Sequence, residues 1–259
     1  VTNGENMTKE TVSQIKERIA ERFDILDILT QECLNGNSRA LIVSGPPGLG
    51  KSFTVERRLK ESSNELFYSI VKGYVRPTGL FTMLYKHRNK GDVLVFDDAD
   101  TIFFDDTSLN LLKTVCDTTE KRTVSWLSRT NFKDEDNENI PKSFDFEGSV
   151  IFITNLDFDA LIAKSHKLAP HLKALISRAH YIDLGMKSKE DYVVRIQQVI
   201  ENGLLSALNE SEREDVTHFL KSNINKLREL SLRMAIKLGA IRRGKSDWEK
   251  IARVTCCKN

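Results

Sequence analysis

The chain has 259 residues, 40% hydrophobic and 29% charged. That composition excludes a disordered polyelectrolyte and suits one large globular domain or two modest ones. Lys+Arg 39 against Asp+Glu 37 gives a net charge of +2, which neither demands nor excludes a polyanionic partner.

Residues 1–6, VTNGEN, precede Met7 and are read as a remnant with no role in the fold. From Thr8 to about Leu34 the pattern is helical: Ile15, Ile19, Phe23 and Leu26 recur at spacings of four, four and three with charges between them. Asn35, Gly36 and Asn37 stop it. Short apolar runs then read as buried strands: ALIVS at 40–44, LFYSI at 66–70, VLVF at 93–96, VIFIT at 150–154 and HYIDL at 180–184. Helical stretches lie between most of them, which predicts a doubly wound parallel five-stranded α/β sheet. The polar, acidic segment 131–149 is expected to be an exposed loop or insertion. From Lys187 onward the signals are helical only, near 188–202, 211–222, 231–243 and 246–254. The resulting division is 1–36 as an N-terminal extension and helix, 37–186 as the α/β core, and 187–259 as a helical lid.

Cys33, Cys116, Cys256 and Cys257 show no CxxC spacing, and adjacent cysteines do not easily bridge to each other. Reduced thiols are expected rather than a zinc site or a disulfide framework. No apolar run reaches the length of a membrane span, and the polar N-terminus does not read as a secretory signal. A cytoplasmic location without a membrane partner is the expectation.

The first strand runs into Gly45-Pro46-Pro47-Gly48-Leu49-Gly50-Lys51-Ser52 and then into a helical FTVERRLKE that opens on Phe53. This is G-x-x-x-x-G-K-S in strand–loop–helix context. Glycines let the backbone wrap phosphate oxygens, and successive N–H groups at a helix N-terminus face the anion. Lys51 would reach the β/γ-phosphates and the Ser52 hydroxyl would be a Mg²⁺ ligand. Residues 45 to 53 are therefore the expected nucleotide-binding set. A second apolar strand ends in acids, VLVFDD at 93–98. Carboxylates so close repel unless a cation relieves them. Asp97 is expected to hold Mg²⁺ mainly through its water shell, and Asp98 to polarise the attacking water as a general base. Asp100 is read as a turn residue or helix cap.

These residues resemble the AAA+ ATPases. GPPGLGKS is close to that family's P-loop and FDDAD is similar to its Walker B, with the resemblance running over roughly residues 37 to 243. It implies ATP as the nucleotide, with Mg²⁺. It also implies three further site residues. Asn155, ending VIFITN, is the sensor 1 candidate; Arg178, in LISRAHYIDL, is the candidate arginine finger acting on a neighbouring subunit; Arg233 is the sensor 2 candidate, with Arg228 competing. A finger in trans implies a homo-oligomeric ring or a hetero-oligomer. The family usually has Glu where this chain has Asp98, one methylene shorter, which puts the base role in question. The Ser177-Arg178 wording is similar to clamp loaders, and the whole resembles small phage- or mobile-element-type AAA+ proteins, for which the compartment would be host cytoplasm.

The resemblance therefore implies an ATPase that remodels a nucleic-acid-associated complex, as in DNA replication. Two alternatives stand beside it. One is a protein remodeller that pulls polypeptide through a pore, favoured by Gly73-Tyr74; the loop Lys72-Gly73-Tyr74 with Arg76 would grip a peptide by its aromatic or a nucleic-acid backbone by its cations. The other is a non-hydrolysing ATP-dependent scaffold, motivated by Asp98. Basic residues at Arg242-Arg243-Gly244-Lys245, and a Lys121 to Arg129 stretch with Trp126, hint weakly at nucleic acid. The second of these stretches is left unassigned between a strand and a hairpin.

Overall fold

The computed structural model describes residues 10–62, 67–164 and 166–258, so the remnant reading of residues 1–6, the start of the first helix at Thr8 and the start of the second strand at Leu66 lie outside the described residues. In chain order the elements are α1 (Val12–Leu34), β1 (Ala40–Ser44), α2 (Lys51–Glu61), β2 (Tyr68–Lys72), α3 (Pro77–Lys86), β3 (Val93–Asp97), a 3-10 turn (Asp100–Phe104) and α4 (Asp106–Val115). There follow β4 (Thr123–Ser125), β5 (Phe132–Lys133), β6 (Asn139–Ile140), β7 (Ser143–Asp145), β8 (Ser149–Thr154), α5 (Phe158–Ala163), α6 (Ala169–Ile176) and β9 (His180–Asp183). The C-terminal elements are α7 (Lys189–Glu201), α8 (Glu210–Ser222), α9 (Leu232–Arg242) and α10 (Trp248–Cys256).

The five expected strands form one parallel sheet in the order β2-β3-β8-β1-β9. Its three central strands, β3, β8 and β1, are buried at every position, as a sheet covered on both faces requires. Phe96 stacks on Phe152 at 5.6 Å between ring centres, and Phe103 meets Phe152 and Phe158 edge-on.

Contacts divide the chain into two units: one holds the chain up to Arg22, Pro47–Gly50 and everything from Met186, and the other holds Phe23–Pro46 and Lys51–Gly185. In the first, Asp191 is buried and bound by Arg18 at 2.9 Å, which also pairs with Glu10 at 3.0 Å. The apolar faces of α7 to α10 meet around Ile196, Phe219, Leu238 and Trp248. Three of these helices are capped by side chains: Ser188 before α7, Asn209 in a reciprocal box with Glu212 before α8, and Ser231 before α9. Such caps satisfy helix N–H groups that lack an intrahelical acceptor.

Segment 131–149, expected as an exposed loop or insertion, is an insertion outside the five-stranded sheet up to the start of β8, but it is not the strand-poor segment expected. It contains β5, β6, β7 and the start of β8; β4 pairs antiparallel with β7, and β5 with β6. Ile140, Phe144 and Phe146 are buried, and Phe81 of α3 touches Trp126, Phe132 and Phe144 at 5.2 to 5.7 Å. The stretch Ser143-Phe-Asp-Phe-Glu147 alternates exposed and buried, a strand period masked by the acidic residues around it. The unassigned stretch from Lys121 contains β4. Its Arg122 is buried, donating to the carbonyls of Val115 at 2.6 Å and Gly148 at 3.0 Å, and burial pushes it down to about 10. It is thus a structural residue and not a surface cation.

Candidate functional site

Parallel strands place their carboxyl ends along one edge. Here Ser44 is in register with Thr154, and Asp97 with Ile153. The residues just beyond β1, β8 and β3 are therefore Gly45, Asn155 and Asp98, side by side, and β8 lies between the other two strands.

Lys51, the first residue of α2, is buried, and its ammonium donates to the carbonyls of Gly45 at 2.5 Å and Pro46 at 2.8 Å and to Asn155 Oδ1 at 2.9 Å. Asn155 Nδ2 donates in turn to Asp98 Oδ1 at 2.7 Å. Ser52 Oγ donates to Asp97 Oδ1 at 2.8 Å. Lys51, Ser52, Asp97, Asp98 and Asn155, which the sequence singled out separately, are thus joined in two short chains of hydrogen bonds at one edge of the sheet. Asp98 is exposed and adopts φ 53°, a left-handed backbone that Asp tolerates better than most residues. Its N–H donates to the Ile153 carbonyl.

Asp97 has a second partner that the sequence did not supply. Lys72, in register with it on β2, places its ammonium 3.0 Å from Asp97 Oδ2 and 2.8 Å from Glu56 Oε1. These two carboxylates hold the lysine's pKa above its ordinary value, Glu56 contributing first. Lys72 is therefore engaged at the sheet edge, while Tyr74 and Arg76 of the same segment are exposed.

Asp100 is not a cap. It is the first residue of the 3-10 turn and accepts from Thr154 Oγ1 at 2.6 Å; burial raises its carboxyl above the ordinary range.

Phe53 is 67% exposed on α2. Gly45 has φ 146°, and a side chain there would meet Leu184 at 3.1 Å. Within the other unit, the Gly48 carbonyl accepts from the Leu232 N–H at 2.7 Å, and the Leu49 carbonyl from Arg195 Nε at 3.2 Å. Gly48 has φ 73°, and a Cβ there would lie 2.7 Å from that of Ser231. Only glycine meets both demands. Arg233 follows Leu232 in the first turn of α9 and is exposed, as is Arg228.

Arg178 lies elsewhere. It ends the α6 segment just before β9, whose His180 is in register with Leu41, so it sits at the amino-terminal edge of the sheet. Its Nη1 donates to the Ala174 carbonyl at 2.8 Å. Of the C-terminal basic cluster, Arg242 is bound to Asp215 at 2.8 Å and Glu212 at 3.5 Å. Among the described residues, no helix is long and apolar enough to cross a membrane.

A glycine loop running from a central parallel strand into a helix, with lysine and serine at the helix start and an aspartate from a neighbouring strand on the serine, defines a P-loop α/β protein. The chain belongs to the family of an uncharacterized 36.7 kDa protein from the nrdC-mobD intergenic region of Enterobacteria phage T4, with which it is 36% identical over 250 residues, 94% of this chain and 76% of the relative. No profile of a known protein family matches it. Among solved structures it is similar to NtrX from Brucella abortus in complex with ADP, at 14% identity and a TM-score of 0.49 over 94% of this chain. It is also similar to an arginine-to-alanine variant of RuvB from Thermotoga maritima, at 15% identity and a TM-score of 0.46 over 89% of this chain. The chain spans 54% and 61% of those two proteins. Likeness this distant carries no functional argument; the P-loop geometry does.

Proposed function

We propose that the protein is a Mg²⁺-dependent ATPase of the AAA+ type. The observation that carries the reading is the pair of hydrogen-bonded chains, Lys51–Asn155–Asp98 and Ser52–Asp97, at the carboxyl edge of the sheet. The residues suit the group. Lys51 is a buried cation held by three neutral oxygens at the mouth of a glycine loop, where incoming phosphates would replace those oxygens. Ser52 and Asp97 offer hard oxygen donors that would hold Mg²⁺, whose charge would offset that of the phosphates. Asn155, bound to both Lys51 and Asp98, would orient the attacking water, and Asp98 would take its proton. Arg178 would act on the nucleotide of a neighbouring copy in a ring or mixed oligomer, because its own P-loop is at the opposite edge. Positive charge so placed is worth roughly 10³–10⁵ in rate.

The work done by hydrolysis is proposed as remodelling of a nucleic-acid-associated complex, on the strength of Ser177-Arg178. The buried Arg122 and the paired Arg242 lend it no surface charge. The left-handed backbone at Asp98, in a family position usually held by Glu, keeps a second reading in play: an ATP-dependent scaffold that does not turn over.

The test is nucleotide binding and phosphate release by the wild type and by Lys51→Ala. Lys51→Ala is expected to abolish measurable ATP binding, and undiminished affinity would remove the basis of the whole reading. Phosphate release should be measured alone, with DNA, with RNA and with an unfolded protein. Salt-sensitive stimulation by DNA or RNA supports the nucleic-acid role, stimulation by unfolded protein alone replaces it, and ATP binding without turnover establishes the scaffold.

A further inference from the structure

A polar cavity of about 260 Å³ opens at the amino-terminal edge of the sheet, with Lys113, Asp117, Thr119, Lys121, Arg122 and Arg178 in its wall. Four of these residues are cationic against one carboxylate. They differ in what they can offer a ligand. Arg122 donates from its two terminal nitrogens to the carbonyls of Val115 and Gly148, and contributes positive potential to the cavity. Lys121 pairs with Asp145 at 3.1 Å, but both are largely exposed, and such pairs are weak. Lys113 makes no ion pair among the described residues; its ammonium is 3.4 Å from His171 Nδ1. Arg178 Nε is buried with no hydrogen-bond acceptor, and the Asp117 carboxylate is 3.8 Å away, too far for one. A buried donor left unmet is costly, and an incoming oxyanion would satisfy it.

The donors available to a ligand are therefore charged N–H groups converging on a cavity with excess positive charge, which suits a phosphoryl group rather than an apolar molecule. Phosphates held by the chain's own P-loop are at the other edge of the sheet. A phosphate that reaches this cavity must come from another molecule.

We propose that the cavity receives the phosphate tail of the nucleotide bound to a second copy of this chain, with Lys113 and Lys121 contacting it beside Arg178. The proposal rests on the ATPase reading, in which Arg178 acts in trans, and it adds two binding residues and a shaped receptor to that reading. The alternative source of the same chemistry is a free oligophosphate.

Two variants separate the parts. Lys51→Ala lacks a working P-loop but keeps the cavity; Arg178→Ala keeps the P-loop but lacks the finger. Mixed, they should recover phosphate release that neither shows alone. The double change Lys113→Met/Lys121→Met, introduced into the Lys51→Ala chain, should cut the recovered rate by about tenfold or more, the scale of losing charged donors at a developing phosphate charge. Methionine keeps the aliphatic stem of each lysine, and a melting temperature matching that of the Lys51→Ala parent certifies the fold. A recovered rate unaffected by the double change overturns the cavity assignment and leaves the trans role of Arg178 standing. No recovery from the unmodified pair overturns the reading beneath it, and the proposal with it. Calorimetry of tripolyphosphate on the Lys51→Ala chain distinguishes the source. Binding lost in the double variant while the mixed rate is unchanged would assign the cavity to free oligophosphate and overturn the second-copy proposal.

Discussion

Asp97→Asn separates the structural duty of this residue from its proposed metal duty. Asp97 is 3% exposed, with Ser52 on one oxygen and Lys72 on the other at 2.8 and 3.0 Å. Asparagine has the same shape and keeps an acceptor for the Ser52 hydroxyl, so the packing survives. The ion pair with Lys72 is lost. Its gross Coulomb term at an effective dielectric of ~20 is about 5 kcal/mol. Desolvation of the buried carboxylate offsets most of that, and Lys72 is 57% exposed and retains Glu56 at 2.8 Å. A net loss of about 1 kcal/mol or less is expected, or a fall in Tm of about 2–4 °C for a chain of this size. The metal effect should be larger. A carboxylate that orients a metal's shell typically accounts for about 10–100-fold in affinity. Titration of a fluorescent ADP analogue with and without Mg²⁺, alongside thermal melting, reads both quantities. The wild type should bind more tightly with Mg²⁺, and Asp97→Asn should lose most of that gain with its fold intact. If Mg²⁺ improves the variant's affinity by the same factor as the wild type's, Asp97 does not serve the metal. If Tm drops by more than about 10 °C, its main role is structural.

Asp98→Asn should bind ATP within about twofold of the wild type and lose about 10²-fold or more in phosphate release, the usual scale for a general base; wild-type turnover would move that role to another acid. His87 offers a pH test. It is fully buried, bonded through Nε2 to Ser69 Oγ at 2.8 Å and stacked on Phe67 at 4.6 Å. Burial first, and then neighbouring Lys86, hold it down at about 4. The unfolded chain takes up this proton near pH 6.5 while the folded chain resists until about 4. Stability is therefore intact above about pH 6.5 and lost as pH falls towards 4, by up to about 3 kcal/mol. Melting of the wild type and of His87→Gln between pH 7 and about 4.5 should show a steeper fall in the wild type, and parallel slopes would refute the assignment.

Much of this was legible in the linear sequence. ALIVS and VLVF are runs whose every residue is apolar or small, and only a sheet covered on both faces accommodates them. GPPGLGKS joins a strand to a helix with glycine where φ is 146°, 73° and 95°, so the loop's conformation was written in residue type. Local chemistry of this kind acts over a few neighbours and needs no tertiary context. The helices of the C-terminal region were legible for the same reason, their caps and apolar periods being local.

What the tertiary structure decided was register and partnership. Strand order put β8 between β1 and β3, and that alone made Asn155 the bridge between Lys51 and Asp98. Lys72 looked like a loop cation until the β2–β3 register set it against Asp97. Arg122 stood in a stretch that the sequence left unassigned until the folded chain offered it two carbonyls. The short strands of 131–149 depend on Phe81, some 50 residues earlier in the chain. A charged side chain has the same sequence signature whether it is solvated, paired or buried. Its fate is set by which distant groups the sheet brings within about 3 Å, a distance at which Coulomb and hydrogen-bond energies outweigh local preference.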